Sequence, residues 1–207
     1  MLPGVIAASR PRSARVLENS WNPAHKSPRA VLFTADRQLG NGTAAGSYAN
    51  VRTLLPLRGL CYVSSTLPNV LGGDVLGFGI IDETESLIVS DHYVGGGMGS
   101  VALWAPNGTV YYGGSVLGNA GGTGDAQIAV RVATRRVWVR RNGGGWVGGG
   151  NPAADTSPTA ILPGSGRLYA AASMDAAVPT ATRMTLGHIA AATSGAVPTG
   201  FTAAAWG

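Results

Sequence analysis

The chain is poor in charged residues and in cysteine, and each shortage excludes a class of protein. Only 12% of its 207 residues are charged, whereas 45% are hydrophobic. A disordered chain has few apolar residues and a high net charge, so we expect this chain to fold. The single cysteine, Cys61, excludes an internal disulfide, and the apolar run around it indicates a small buried side chain.

Long apolar runs are also missing. No run approaches the roughly 18 residues of a membrane-spanning helix, so we expect no membrane insertion. At the N-terminus, Arg10, Arg12 and Arg15 follow the short apolar piece 5–8 instead of preceding it. A secretory signal has the opposite order, so this pattern does not indicate one.

The sequence lacks the spacings of common metal, nucleotide and catalytic sites. His25, His92 and His188 are far apart and have no ligand partner in HxxxH or CxxC spacing. Lys26 follows no Gly-rich phosphate loop, and 77–79 lacks the third glycine and the helix of a dinucleotide site. No GxSxG nucleophile motif is present. We therefore expect no metal ion, no cofactor and no catalysis.

Acidic residues cluster once, at Asp82, Glu83, Glu85 and Asp91. Calcium prefers clustered oxygen ligands, but this spacing matches no ligand loop, so we interpret the cluster as a solvated loop. Glycoside hydrolysis needs two carboxylates about 5 to 9.5 Å apart, most simply acids alternating on one strand. No predicted strand carries such a pair, and a pair assembled across strands stays open.

Glycine and proline are abundant instead, at 32 and 12 residues. This composition, with turn signals throughout, is typical of a sandwich or barrel of about eight to twelve short strands. We predict turns or connections at 39–42 and 113–123. A helix is an alternative to a strand only near Ala170 and Ala190. The predicted strands are 30–33, 51–55, 59–64, 74–81, 101–104, 109–112, 126–132, 136–141, 167–174 and 182–186.

The stretch from Gly124 to Trp146 organises the prediction. Apolar residues alternate with others over 126–132 and over 136–141, the two-residue period of a strand. Residues 133–136 can turn the chain, and the Asn-Gly pair at 142–143 tolerates positive φ. We predict a β-hairpin. Both faces carry apolar residues, so the face of Trp138 stays open, and a central position in a sheet is favoured.

A net charge of +5 and a pI near 9.9 raise the possibility of a nucleic-acid partner. All but one of the 15 basic residues are Arg, scattered except at 10–15 and 131–141. A nucleic-acid groove interleaves basic and aromatic residues on one surface, a pattern found only around Trp138. We interpret the arginines as solubilising charge at strand edges and expect no nucleic acid as the main partner.

The predicted strands 101–104 and 109–112, joined by a turn at 105–108, form a second hairpin. Three tryptophans lie in or beside the two predicted hairpins. We interpret Trp104 and Trp138 as core residues between the sheets, as large aromatic side chains usually are. Trp146 is flanked by glycines, and a core and an exposed position stay equally open. An exposed Trp could stack on a sugar ring or form a cation–π contact with Arg140 or Arg141.

The two ends of the chain differ from its middle. Residues 1–15 are small, basic and broken by proline, and we predict an extended N-terminal arm that is either disordered or ordered on a partner. The Ala-rich tail ends in Phe201 and Trp206, which have little reason to be exposed alone. Both features favour docking on other subunits.

Several motifs, taken in order, resemble SPRY-like, concanavalin-type sandwiches. DVLGFGIID at 74–82 resembles the central strand of that family, and VYYGG at 110–114 resembles a later one. GDAQIAVRVATRRVWVRRNGGGW at 124–146 resembles its signature hairpin, in which GD opens one strand and NG closes the next.

Other motifs resemble proteins of tailed bacteriophages. WVGGGNPAAD at 146–155 is similar to a loop of their SPRY-like proteins, and VPTGF at 197–201 resembles the ends of many phage tail proteins. PGVIAASRP at 3–11 looks like their N-terminal docking peptides. Asn151 stands where Asp is commoner, and strand 60–64 lacks the acidic residue that often follows the aromatic.

The resemblance implies an all-β protein: an antiparallel β-sandwich of concanavalin or SPRY-like jelly-roll type over 16–207, preceded by the arm 1–15. It also implies a non-enzymatic virion structural protein of a phage tail, baseplate or fibre, made in the host cytoplasm. Its expected partners are other virion proteins, further copies of itself and a host-surface glycan.

Two alternatives are a lectin-like receptor binder and, ranked last, a polysaccharide depolymerase. For ligand binding, the candidates are Trp146, Asn151, Asp155 and Arg140. For docking, the candidates are Leu2, Val5, Ile6, Arg10, Phe201 and Trp206.

Overall fold

Short β-strands are the main secondary structure in a computed structural model of the chain, which describes residues 19–33, 38–44, 47–68, 75–87, 92–121, 124–187, 196–203 and 206. Two 3-10 turns occur at Val132–Thr134 and Val147–Gly149. The strands are β1 (Trp21–Lys26), β2 (Ala30–Phe33), β3 (Gln38–Asn41), β4 (Tyr48–Thr53), β5 (Leu60–Ser65), β6 (Leu76–Asp82), β7 (Ser100–Ala105), β8 (Thr109–Tyr112), β9 (Ser115–Asn119), β10 (Ala126–Arg131), β11 (Arg136–Arg141), β12 (Ala160–Ile161), β13 (Leu168–Asp175), β14 (Arg183–Gly187) and β15 (Thr202–Ala203).

The strands form two sheets packed face to face. Sheet one has the order β1-β4-β13-β6-β7-β8-β9, and sheet two has the order β12-β11-β10-β5-β14-β3-β2. Neighbouring strands pair antiparallel, except that β15 lies parallel to β5. The predicted all-β, antiparallel sandwich is therefore confirmed, while its N-terminal arm, residues 1–15, lies outside the described residues.

The predicted central hairpin is confirmed. Strands β10 and β11 pair from Ala126 opposite Arg141 to Arg131 opposite Arg136, and a 3-10 turn joins them. The Asn-Gly pair at 142–143 has φ of 44° and 74°, as this dipeptide predicts. Sheet neighbours on both sides, β5 and β12, make the hairpin internal rather than an edge.

Some segments differ from the prediction because tertiary pairing overrides local signals. The predicted turn at 39–42 is mostly strand β3, held between β2 and β14. The predicted connection 113–123 contains strand β9, which pairs with β8. The predicted strand 167–174, by contrast, is confirmed as β13 between β4 and β6, although a helix was an alternative near Ala170. Propensity is a weak guide where a segment finds a strand to pair with.

The main core lies between the sheets. Sheet one contributes Phe78 and Leu103, and sheet two contributes Ile128 and Val139, all fully buried. Cys61 belongs to the same cluster and is buried, as predicted. Burial of such apolar surface is the main favourable term in folding.

The outer face of each sheet carries a second buried cluster, and this corrects the tryptophan prediction. Trp138 lies on the outer face of sheet two with Tyr62 and Ala129, whereas its neighbours Val137 and Val139 face the main core. Trp104 lies on the outer face of sheet one. Both are buried, but the prediction that they lie between the sheets is wrong.

The C-terminal tail covers the outer face of sheet two. Strand β15 pairs with β5 through Thr202 opposite Cys61, and Phe201 packs edge-on against Trp138, with ring centroids 6.4 Å apart. Trp206 bridges to Leu57 and joins the main core at 9% exposure. The domain itself therefore buries Trp206 and half-buries Phe201, so covering these side chains does not require another subunit, while their role in docking stays a prediction.

A substitution at Gly79 in β6 tests how closely the central strands of sheet one pack. A Cβ at this position would lie 2.0 Å from the carbonyl oxygen of Val101, whereas one at Gly145 would meet nothing within 4 Å. We expect Gly79→Ala to lower the free energy of unfolding by roughly 1–3 kcal/mol. Gly145→Ala, the control, should leave it nearly unchanged. Equal stability of the two variants in chemical denaturation would contradict the described β6–β7 packing.

Trp206 tests whether the tail belongs to the fold. We expect Trp206→Ala to lower the free energy of unfolding by about 3 kcal/mol, because it empties part of the main core. Thr199→Ala, an exposed change in the same tail, is the control. Thermal and denaturant unfolding measure both, and a Trp206→Ala variant as stable as the control would show that the tail is not packed on the domain.

Candidate functional site

A pocket lies at the end of the sandwich where β6 ends and β7 begins, and we call it the rim pocket. It has a volume of about 520 Å³ and is lined by residues of the segments 82–86, 92–99 and 163–164. Two of these segments belong to the connection from β6 to β7, and the third precedes β13. Large concave sites of this kind are where ligands usually bind.

Glu85 is the central polar side chain of the rim pocket. Its Oε1 accepts a hydrogen bond from the Ser100 hydroxyl at 3.1 Å. Gly97 and Gly99 lie against its carboxylate so closely that a Cβ at either position would come within 1.8 and 2.3 Å of a Glu85 oxygen. At the edge, Met98 is 59% exposed. The pocket thus combines the Glu85 carboxylate with an apolar border.

A buried ion pair holds the rim pocket together. Asp82, the last residue of β6, is 1% exposed and pairs with Arg135 from the β10–β11 turn. Arg135 also donates to the carbonyls of Leu162 and Gly166, on the segment that supplies another wall. The side chain of Arg135 therefore ties together both sheets and the 162–166 segment.

The surroundings of Asp82 favour the ionised form of its carboxyl group. Burial would raise the pKa of this carboxyl group, but hydrogen bonds from the backbone and hydroxyl of Thr84 and from Arg135 outweigh it. The pKa of Asp82 therefore lies below its ordinary value. The prediction of a solvated acidic loop is wrong for Asp82; its neighbour Glu83 pairs at the surface with Arg167 at 2.7 Å, and Asp91 lies outside the described residues.

A smaller pocket of about 210 Å³ lies on the other side of the 83–87 segment. Its wall includes His25 and Arg52, whose Nδ1 and Nη2 atoms are 3.2 Å apart. Burial and the Arg52 charge both lower the pKa of His25. The imidazole is therefore neutral at pH 7 and suited to accept a hydrogen bond from the guanidinium.

The four predicted ligand-binding residues lie on sheet two and the segment after it, away from the rim pocket. Arg140 is 9% exposed; its guanidinium lies 4.4 Å from the Trp146 ring centroid and donates to Gln127 at 2.8 Å. The cation–π contact considered for Trp146 is thus present, and Trp146 is half-buried. Both side chains are occupied within the domain.

Asp155 and Asn151 are likewise engaged locally. Asp155 forms ion pairs with Arg131 at 3.1 Å and Arg136 at 3.0 Å. Asn151 pairs through its backbone with Thr156, and its side chain accepts a hydrogen bond from the next turn. The structure does not bring the four predicted residues together as one open site. The docking candidates Leu2, Val5, Ile6 and Arg10 lie outside the described residues.

Several arginines predicted as solubilising edge charge are structural instead. Arg141 is 4% exposed and donates to the carbonyls of Gly124 and Pro106. Arg135 and Arg140 are similarly committed inside the domain. Planar guanidinium groups with several donors suit such buried positions, so the prediction is wrong for these three residues.

An aromatic group that no sequence pattern predicted lies on the outer face of sheet one, and we call it the aromatic cage. It consists of Tyr48, Tyr93, Trp104 and Tyr111, which line a cavity of about 130 Å³. Tyr93 contacts the other three side chains, with ring centroids 5.3 Å from Tyr48, 5.4 Å from Trp104 and 6.2 Å from Tyr111. These residues come from three strands and one loop, so no local sequence signal groups them.

The described residues contain neither a metal-binding cluster nor a membrane-spanning helix. No three His, Cys, Asp or Glu side chains there come close enough to hold a metal ion. No helix in the same ranges is long and apolar enough to cross a membrane.

Asp82→Asn tests the ion pair. Because the folded-state pKa of Asp82 is lowered, its contribution is complete above the unfolded pKa, about 4, and is lost as pH falls through the folded value. We expect the variant to lose about 3 kcal/mol at pH 7 and to show a weaker pH dependence of unfolding at acid pH.

The matched control for this prediction is Glu83→Gln, which removes an ion pair whose Arg167 partner is 68% exposed. We expect little change in unfolding at pH 7, since exposed pairs are solvated. Denaturant unfolding at several pH values measures both variants. An Asp82→Asn variant that behaves like the control would show that the buried pair does not stabilise the rim.

Comparison with known proteins identifies the fold. No protein-family model and no curated protein matches the chain. The solved SPRY domain of human HERC1 is similar at a TM-score of 0.59 and 11% identity, covering 81% of this chain and 96% of that one. The TRIM65 PSpry domain follows at 0.55 and 12%, covering 90% and 100%, and a human SPRY domain at 0.52 and 18%, covering 76% and 94%.

A stonustoxin structure is also similar, with a TM-score of 0.54 and 10% identity over 82% of this chain. The chain spans only 27% of the stonustoxin chain, so this likeness concerns one part of a larger protein. Similarity at such low identity establishes the fold alone. The protein is an all-β chain with a SPRY-like β-sandwich.

Proposed function

We propose that the chain is a non-enzymatic structural protein of a bacteriophage virion, in the tail, baseplate or fibre. In this proposal the rim pocket takes up a polypeptide segment of a neighbouring virion protein. The rim pocket is the observation that carries the binding function. The assignment to a virion, with synthesis in the host cytoplasm, rests on the resemblance of 146–155 and 197–201 to phage tail proteins.

The chemistry of the rim pocket suits a polypeptide ligand. Its volume of about 520 Å³ accommodates side chains, and Met98, Tyr93 and Pro163 offer apolar contact at its border. Within the described ranges, the Glu85 carboxylate has the Ser100 hydroxyl as its hydrogen-bond partner and no ion pair. A Lys or Arg side chain of the neighbour would form an ion pair with this carboxylate. Such a contact favours binding, because a charge-assisted hydrogen bond is stronger than a neutral one.

The exposed edge of sheet one supports assembly of several copies. Strand β9 ends that sheet, and its residues Val116 and Leu117 are 60% and 42% exposed. The strand contains no charged residue and no proline, the usual means by which sheet edges avoid other chains. Such an edge favours contact with another protein chain, in keeping with a protein built into a multi-subunit particle.

The lectin and depolymerase alternatives have weaker support. A sugar-binding Trp needs an open ring face, whereas the Trp146 ring lies under the Arg140 guanidinium. For hydrolysis of a polysaccharide, two available carboxylates are needed, and both Asp82 and Glu83 are held in ion pairs. A host-surface glycan therefore remains a secondary partner in this proposal.

A photo-crosslinking amino acid in place of Met98 tests the proposal in particles of the phage whose genome encodes the chain. Ala177, exposed at the opposite end of the sandwich, is the control position. We expect mass spectrometry to find the chain in purified particles and a virion protein crosslinked from position 98. Glu85→Gln should reduce that crosslink by about tenfold, the loss of a charge-assisted hydrogen bond.

The two halves of the proposal fail separately. If the chain is absent from purified particles, the virion assignment is wrong. If the chain is present but positions 98 and 177 crosslink equally, the rim pocket is not the contact with the neighbouring protein.

A further inference from the structure

The aromatic cage on the outer face of sheet one is a second cavity, separate from the rim pocket although Tyr93 borders both. We propose that it is a binding site for a quaternary or fully methylated ammonium group. The proposal goes beyond the assembly function and does not depend on it. It rests on the geometry of the four rings, on their support by the fold and on the hydration of the possible cations.

The rings pack against one another edge to face and also line the cavity. The plane of Tyr93 is at 89° to that of Trp104 and at 88° to that of Tyr111, and Tyr48 is at 79° to Trp104. Trp104 is 2% exposed and forms the buried wall, whereas the three tyrosines are half-buried and lie toward solvent. The result is a cavity of about 130 Å³ that a small headgroup can enter from solvent.

The buried wall of the cage is held in place by the fold. The Trp104 indole donates its Nε1 hydrogen to the carbonyl of Val94 at 3.0 Å. The same indole lies over Gly77 in the neighbouring strand, where a Cβ would come within 2.4 Å of the ring. The missing side chain at Gly77 is therefore what lets Trp104 lie close against the sheet.

The loop that carries Tyr93 is also anchored. The backbone N–H of Val94 donates to the Ser173 hydroxyl at 2.8 Å, and that of Gly95 donates to the Ser100 hydroxyl at 2.9 Å. These bonds hold the segment that directly follows Tyr93 against sheet one. A cage whose walls are already positioned loses little conformational freedom when a ligand enters.

Aromatic walls favour a cation. The face of each ring carries negative potential, and a cation within about 6 Å of a ring centroid is attracted to it. The same outer face already uses this interaction, since the Arg52 guanidinium lies 4.3 Å from the centroid of Tyr169. A cation inside the cage would approach several rings at once.

The composition of the walls selects the kind of cation. The four described lining residues include no carboxylate, so a primary ammonium group would lose strong hydration without gaining an ion pair. A trimethylammonium group has no N–H to satisfy and presents methyl groups that pack against rings. Binding of such groups is an established use of aromatic cages.

Calorimetric titration of the whole chain tests the proposal with choline and with 3,3-dimethylbutan-1-ol, the neutral isostere of choline. We expect saturable binding of choline at concentrations up to about 10 mM and at least about tenfold weaker binding of the isostere. A short peptide with trimethyl-lysine is a second probe. Tighter binding of the peptide would identify the ligand as a methylated side chain of a protein. Tighter binding of choline would identify it as a small molecule.

Tyr111 provides the matched variants, because it lines the cage but not the rim pocket. We expect Tyr111→Phe, which keeps the ring, to bind choline within about threefold of the unchanged chain, and Tyr111→Leu to lose about tenfold or more. Unfolding curves of both variants confirm that they are folded. Tyr93→Leu, on the anchored loop, gives an independent second loss.

Three results would overturn the proposal. Equal binding of choline and its neutral isostere would show an apolar cavity without cation selectivity. Unchanged choline binding by a folded Tyr111→Leu variant would place any site elsewhere. Absence of saturable binding of both ammonium probes to the folded, unchanged chain would show that the cage takes no such ligand.

Discussion

Burial of both faces of the β10–β11 hairpin is the constraint on which the rest of the structure depends. Its inner face, with Ile128 and Val139, requires the opposing sheet. Its outer face carries Trp138, which is too large to leave in water and is covered by Phe201 from the C-terminal tail. A strand pair with two apolar faces must have a layer on each side, so the tail is as much a part of the fold as the second sheet.

Arginine connects these layers. The Arg135–Asp82 pair joins the turn of the hairpin to the end of β6 in the other sheet, and further hydrogen bonds from Arg135 fix the segment 162–166. Arg140 and Arg141 satisfy backbone carbonyls and ring faces at the other end of β11. The basic composition therefore reflects internal cross-links as well as surface charge, and this removes much of the reason to consider a nucleic-acid groove.

The connection from β6 to β7 concentrates the binding potential of the domain. It leaves the sandwich at the buried Asp82, supplies Glu85 to the rim pocket, and returns across the outer face of sheet one with Tyr93. One loop thus borders two cavities of different chemistry, one with a carboxylate and one with aromatic walls. In such folds a rigid scaffold usually positions the loops that bind ligands.

The sequence by itself determined the all-β class, the β10–β11 and β7–β8 hairpins, and the turn at 142–143, because alternation and turn residues are local signals. Only the tertiary structure decided on which face Trp138 lies, where the tail packs, and which arginines are buried. The tertiary structure alone also decided the rim pocket and the aromatic cage, since their residues meet only when distant strands pair. A two-residue period tells that a strand has two faces, but the layer that covers each face comes from elsewhere in the chain.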